Sequence, residues 1–242
     1  MNNTAKNSRL YSKLWKRKSK KIKSCKFWIT WEKFKSLIPS KNPMLLDIGC
    51  GIRPRIPVKG SYFLDLSQSA LETLAQKGGI CHCGDAQNLP YKSKSFDLIN
   101  ASEILEHIKN DTKVLKEINR VLKPEAHFSL SVPLNMKYWT KFDAKVNHIR
   151  RYDPKNLYNK ITEAGFRIKS YYLNNPSKSP VLKNFASWFL SKRPNLSVFL
   201  EENIGLPISE RIQKLKNRKW CTENFVSRLQ NASGVIAICQ KI

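Results

Sequence analysis

An α/β fold, a mostly parallel sheet covered by helices on both faces, is the architecture this sequence predicts. Short apolar runs alternate with stretches whose apolar residues recur at helical spacing. The first apolar run, residues 44–48, feeds straight into Gly49-Cys50-Gly51, as a buried strand entering a tight loop does. Asp47, Asp65 and Asp85 close three successive apolar runs, placing acids where open α/β sheets bind ligands.

The elements follow in order. Residues 27–37 carry Phe27, Trp28, Trp31, Phe34 and Leu37 at helical spacing and stop before Pro39. Residues 44–48 and 61–66 read as the first two strands. Residues 67–77 read as a helix with Ser67 as N-cap and Gly78-Gly79 as its stop. Strands follow at 80–84, 96–101 and 127–132. Residues 111–122 place Val114, Leu115, Ile118, Val121 and Leu122 on one face. Residues 153–164 repeat that logic, with Asp153 capping, Pro154 at the first helical position and Gly165 closing. Residues 166–173 and 234–240 read as the last two strands. The segment 174–233 breaks the alternation. The organisation expected is therefore a basic, aromatic arm and helix over 1–41, an α/β core over 42–173, a helical insertion or lid over 174–233, and a final core strand over 234–242.

The chain has 242 residues, 44 Lys and Arg against 18 Asp and Glu, and a net charge of +26. Such a field draws polyanions, either nucleic acid or an anionic membrane surface, although a Lys- and Asn-rich proteome produces the same excess. A mean hydropathy of −0.47 and short apolar runs predict no membrane span. The N-terminus shows no apolar leader, and the six scattered cysteines need no disulfide framework, so a reduced, cytoplasmic protein is expected, with peripheral membrane contact as an option. Cys81-His82-Cys83 lacks a second Cys/His pair and reads as structural.

The acids at the strand ends have a specific chemistry. Asp65 lies 18 residues after Asp47, near the spacing of a carboxylate that accepts both hydroxyls of a ribose. Asp85, in Gly84-Asp85-Ala86, stands where it can accept from an adenine amino group.

From about Pro43 to Ile168 the sequence resembles the class I S-adenosylmethionine methyltransferases, in particular the small-molecule, type 11-like group. The likeness rests on residues 45–51, Asp65, residues 84–90 (Gly-Asp-Ala-Gln-Asn-Leu-Pro), Ser95-Phe96-Asp97-Leu98-Ile99, Ser102-Glu103-Ile104-Leu105-Glu106-His107, Arg120-Val121-Leu122-Lys123-Pro124 and Ala164-Gly165-Phe166. It implies a Rossmann-like sheet of seven strands, the last antiparallel, with S-adenosylmethionine as cofactor. It implies that Asp47, Gly49, Cys50 and Gly51 approach the methionine end, Asp65 and Leu66 the ribose, and Asp85 and Ala86 the adenine, with Ser102 also at the cofactor. Two departures stand out. The family's usual third glycine is replaced by Ile52-Arg53-Pro54, and Pro54 and Pro57 point to a truncated or absent first helix. Arg53 or Arg55 then faces either the cofactor's carboxylate or solvent, and solvent is the expectation.

Methyl transfer needs an aligned in-line attack, water exclusion and, for a hydroxyl acceptor, a group that takes or weakens its proton. Glu103, Glu106 and His107 follow the fourth strand, and His148 follows the fifth. This Glu-x-x-Glu-His pattern with a later His resembles metal-dependent ubiquinone-pathway and small-RNA methyltransferases, which implies a divalent cation such as Mg held by Glu103, Glu106, His107 and His148. The alternative leaves Glu103 and Glu106 solvated and His107 packed near the cofactor, with His107 or His148 as general base and Glu103 beside them. Arg150 and Arg151 are candidates for an anionic substrate group or are plain surface charge. A methyltransferase acting on a small or lipid-like acceptor, by O-methylation, is the expected function. An RNA methyltransferase using the basic arm and a non-catalytic binding protein are the alternatives. Residues 181–189 repeat apolar positions at helical spacing and predict a helix packed on the domain, a lid or a membrane-surface helix.

Overall fold

The computed structural model describes residues 22–39, 41–174 and 220–242, together with Ser12. The arm over 1–21 and the 181–189 segment therefore lie outside the described residues. Seven strands form one sheet: β1 (Leu45–Ile48), β2 (Tyr62–Asp65), β3 (Ile80–Cys83), β4 (Phe96–Ser102), β5 (Leu122–Pro133), β6 (Phe166–Asn174) and β7 (Gly234–Lys241). Their spatial order is β3-β2-β1-β4-β5-β7-β6. β1 to β5 pair in parallel, and β7 lies antiparallel between β5 and β6. The expected seven-stranded, Rossmann-like arrangement with an antiparallel last strand is the one observed.

The central strands read as continuous apolar runs because both sheet faces are covered. Successive residues serve opposite layers. Leu46, Ile48 and Ile99 join one core with Val114, Leu115 and Ile118 of α3 (Asp111–Val121) and with Leu157 and Ile161 of α5 (Pro154–Glu163). Leu45 and Leu98 join the other, with Phe34 of α1 (Thr30–Leu37) and Leu71 and Leu74 of α2 (Gln68–Ala75). Each fully buried side chain of this size contributes about 1.5–3 kcal/mol.

Several local expectations are met. Asp153 Oδ1 accepts the Lys155 and Asn156 amides at the start of α5, and Gly165 closes it at φ +82°. Ser67 precedes α2 but its side chain makes no capping bond, because its hydroxyl pairs with Ser69 instead. The first helix begins at Thr30 rather than 27: Cys25–Phe27 forms a 3₁₀ turn capped by Ser24, and the Trp28 indole Nε1 donates to the Pro54 carbonyl at 2.8 Å. Residues 49–61 between β1 and β2 contain turns and no helix. The last part of the 174–233 segment belongs to the core. Cys221 bridges Tyr171 of β6, and Phe225 of α6 (Phe225–Leu229) stacks on the Tyr171 ring at 5.0 Å. The short helix α4 (Lys141–Lys145) lies in the loop between β5 and α5.

Candidate active site

Sheet order reverses between β1 and β4, and open α/β sheets bind ligands in the crevice at such a switch point. A cavity of about 750 Å³ opens along this edge, lined by Ile48, Gly49, Asp65, Leu66, Asp85, Ala86, Glu103 and His107 among others. Gly49 makes the approach there feasible. It sits at φ +70°, and a Cβ on it would overlap the Ile104 side chain.

Backbone amides aim the acids at the ends of β2 and β3. Asp65 accepts the Gly51 amide at 2.9 Å and the Ser67 amide at 2.8 Å, so its carboxyl is fixed across the mouth of the β1 loop. Burial raises its pKa, against the pull of those amides. Asp85 is held by the Gln87 amide and side chain. Asp47, Cys50, Gly51 and Ser102 stand behind the lining rather than in it. Asp47 is fully buried and takes the Arg55 amide at 2.7 Å and Asn100 Nδ2 at 2.6 Å. Burial pushes its pKa up to about 6. Ser102 Oγ donates to Asn100 Oδ1, completing a relay that ties β4 to β1. Cys50 Sγ donates to the neighbouring Gly51 carbonyl.

A second group of polar side chains is assembled from loops after β4 and β5. Glu103 is exposed at φ +56°, a costly conformation for a non-glycine residue, and its Oε1 accepts from Ser131. Glu106 is fully buried in the 3₁₀ turn Leu105–His107, which overturns its reading as a solvated residue. Neither of its carboxyl oxygens meets a hydrogen-bond donor among the described residues. Burial and the nearby Glu103 charge push its pKa well up. Its Oε1 lies 3.7 Å from His148 Nε2 and 4.0 Å from His107 Nε2, and the two rings meet edge-on at 4.7 Å. Burial, then the His148 charge, lowers the His107 pKa to about 4, so its ring is neutral at pH 7.

His148 is oriented by a residue the sequence reading missed. Asp143 lies 2.9 Å from His148 Nδ1 and is clasped by both ends of the Arg151 guanidinium and by Thr140. Burial alone would raise its pKa, but Arg151 and Thr140 hold it well below the usual carboxylate range. A carboxylate on Nδ1 keeps the proton there and leaves Nε2 bare toward Glu106. The local signal is the Thr140-x-x-Asp143 capping box of α4. Arg151 is thus committed to Asp143 and offers nothing to a substrate. Arg150 lines the cavity while bonding Asp111, which also receives Lys160 and the Tyr152 hydroxyl.

One ligand atom each from Glu106, His107 and His148 lies within 4.8 Å of the others, as a divalent cation requires. Glu103 stands beside this trio, tied to Ser131. A buried carboxylate without a donor fits a cation better than it fits a packed core.

A sheet of this order, with a glycine-lined cavity over β1 and acids at the ends of β2 and β3, is a Rossmann-like α/β fold whose crevice lies at the switch point. Residues 46–130 match the family described as "Methyltransferase domain". Over those residues the chain is similar to S-adenosylmethionine-dependent methyltransferases. It is similar to norajmaline N-methyltransferase of Rauvolfia serpentina, 34% identical over 103 residues, or 36% of this chain and 35% of that one. It is 25% identical over 214 residues to malonyl-[acyl-carrier protein] O-methyltransferase of Marinomonas sp., covering 79% of this chain and 75% of the relative. Most of the curated relatives are matched over less than half of their length, such as 30% of the sterol 4-C-methyltransferase of Caenorhabditis elegans. In structure, an S-adenosylmethionine-dependent methyltransferase of Thermotoga maritima shares the fold with a TM-score of 0.58 at 18% identity, over 89% of this chain and 88% of that one.

Proposed function

We propose that this chain transfers the S-adenosylmethionine methyl group to a hydroxyl of a small or lipid-like acceptor. The observation that carries this is the Glu106–His107–His148 cluster, two imidazoles and a donorless carboxylate converging at the β4–β5 edge beside the cavity. A hydroxyl needs its proton weakened or removed before it attacks a sulfonium, and an amine acceptor has less need of such a cluster. The residues fit a divalent cation, which when bound would lower the pKa of an acceptor hydroxyl. His148 presents its bare Nε2, held in that tautomer by Asp143, and the neutral His107 ring offers a second proton acceptor. The cofactor side orients the sulfonium through Asp65 and Asp85. The net charge of +26 supports contact with an anionic membrane surface as the source of a lipid-like acceptor. Among the described residues, no helix is long and apolar enough to cross a membrane.

The test is S-adenosylhomocysteine formation on a panel of phenols and catechols against matched amines, with and without magnesium. Methyl transfer to hydroxyls that chelator or Glu106→Gln abolishes is the expected result. Turnover on amines alone, indifferent to Glu106→Gln, would overturn the reading.

A further inference from the structure

Exposed large apolar side chains are few among the described residues, and half of them fall in one loop. Met136, Phe142 and Ile149, in the connection between β5 and α5, are 58%, 58% and 42% exposed. The others, Ile80, Tyr158 and Ile242, belong to three different parts of the chain. The loop is braced from beneath. Asn135 donates to the Leu229 and Ala232 carbonyls at 3.0 and 2.8 Å, and the Tyr138 hydroxyl donates to the Asn231 carbonyl. The His148 amide returns to the Asp143 carbonyl at 2.9 Å, so Phe142 and Ile149 flank one backbone hydrogen bond. An anchored backbone thus holds apolar groups in water, which burial in a core would otherwise favour removing.

The charge on the loop has one sign at the surface. Between residues 134 and 152 the only acid is Asp143, which is fully buried and matched by Arg151, whereas Lys137, Lys141 and Lys145 are exposed. Tyr138 and Trp139 lie half-buried between them, and rings of this kind settle at headgroup level. Lysines interleaved with apolar side chains suit an anionic bilayer: the ammonium groups stay at the headgroups while the apolar groups enter the acyl boundary. A polynucleotide fits less well, because Met136 and Ile149 offer no ring for a base to stack on and no donor for a phosphate.

We propose that the β5–α5 loop is the face by which this protein docks on an anionic phospholipid surface. Met136, Phe142 and Ile149 enter the bilayer boundary, and Lys137, Lys141 and Lys145 meet its headgroups. This rests on the reading of a lipid-like acceptor and gives that acceptor a route. The same loop carries His148, the Ile149 amide donates to the Glu106 carbonyl at 3.0 Å, and Arg150 lines the cavity. Docking here brings the bilayer boundary to residues that adjoin the Glu106–His107–His148 cluster.

The test is flotation of the full chain with phosphatidylcholine vesicles, made with and without phosphatidylglycerol. The wild-type chain is expected to float with the anionic vesicles and to keep part of that binding in high salt, which screens lysines but not apolar contact. Met136→Ser combined with Phe142→Ser should lower partitioning about tenfold or more. Ile80→Ser combined with Ile242→Ser, exposed apolar residues elsewhere, should change it by less than about twofold. The first pair should leave the unfolding midpoint and S-adenosylhomocysteine affinity unchanged, because both side chains are exposed and neither lines the cavity. Equal loss in both pairs, no loss in either, or a wild-type chain that stays out of the vesicle fraction overturns the proposal. So does binding of a single-stranded RNA that the first pair weakens while vesicle binding stays, which would make the loop a nucleic-acid face. A lowered unfolding midpoint in the first pair also overturns it, since the two side chains would then pack within the fold. Vesicle binding needs no turnover, so a chain that docks as expected but methylates only soluble amines keeps this proposal and overturns the acceptor reading.

Discussion

Along the edge of β1 to β3, every buried carboxylate is answered within the chain: Asp65 by two amides, Asp47 by an amide and Asn100. Across the switch point, at the edge of β4 and β5, Glu106 is just as buried and, among the described residues, meets no hydrogen-bond donor. The first region is a finished surface whose donors orient the acids and leave their remaining lone pairs for a nucleoside. The second holds a desolvated carboxyl group whose pKa burial and the nearby Glu103 push well up. Burying such a group without a partner costs several kcal/mol unless it is neutralised, and the imidazoles at 3.7 and 4.0 Å do so only in part. The two edges thus differ in how their acids are satisfied: amides and Asn100 hold the first set, and no hydrogen-bond donor among the described residues meets Glu106.

Breaking the support of the second region should give the largest effect. Asp143 balances Arg151 and orients His148 while fully buried, so Asp143→Ala strands a cation and frees the ring. A loss of about 3–5 kcal/mol in stability is expected by urea denaturation. Methyl transfer should fall further than folded protein does, with cofactor affinity kept in whatever remains folded. A variant that loses both in proportion would show that the two regions are one structural unit.

The next effect falls on the finished region. Asp65→Ala removes the acceptor for the ribose while leaving Glu106, His107 and His148 untouched. Calorimetry should show S-adenosylhomocysteine affinity reduced roughly a hundredfold. Magnesium binding should be unchanged, and a change there would erase the distinction between the regions.

A smaller effect sharpens the comparison through pH. The His107 pKa is lowered to about 4 in the folded chain, against about 6.5 unfolded. As pH falls below 6.5 the unfolded chain takes up a proton that the folded ring refuses, so this stabilisation is present above pH 6.5 and is lost toward pH 4. The loss between pH 7 and pH 5 should be about 2 kcal/mol. His107→Gln should flatten that slope. The contribution of Asp143, whose pKa is depressed, is retained until pH falls below the ordinary carboxylate range. An unchanged slope in His107→Gln would assign the acid sensitivity elsewhere.

Much of the fold was legible because its signals are local. The runs at 44–48 and 96–101 are apolar on both faces, which only a doubly covered strand needs, and Asp153-Pro154 with Gly165 brackets a helix by its own chain chemistry. The cofactor acids were legible for the same reason, since each sits at the end of a strand the pattern defines. Their division of labour was not: Asp65 and Asp85 line the cavity, whereas Asp47 holds the loop behind it. Sequence likewise left Glu106 as either a metal ligand or a solvated residue, and the burial of an acid depends on what packs over it from elsewhere in the chain.

Periodicity and turn chemistry act over a few residues, and they suffice to encode the strand and helix order, the glycine loop after β1 and the file of acids. Which charges are matched depends instead on contacts made through space. Glu106 meets His148 across 42 residues and Trp28 meets Arg55 across 27, and no local pattern encodes either meeting. Desolvation and charge pairing belong to neighbours in space, and the sheet's crossovers choose those neighbours.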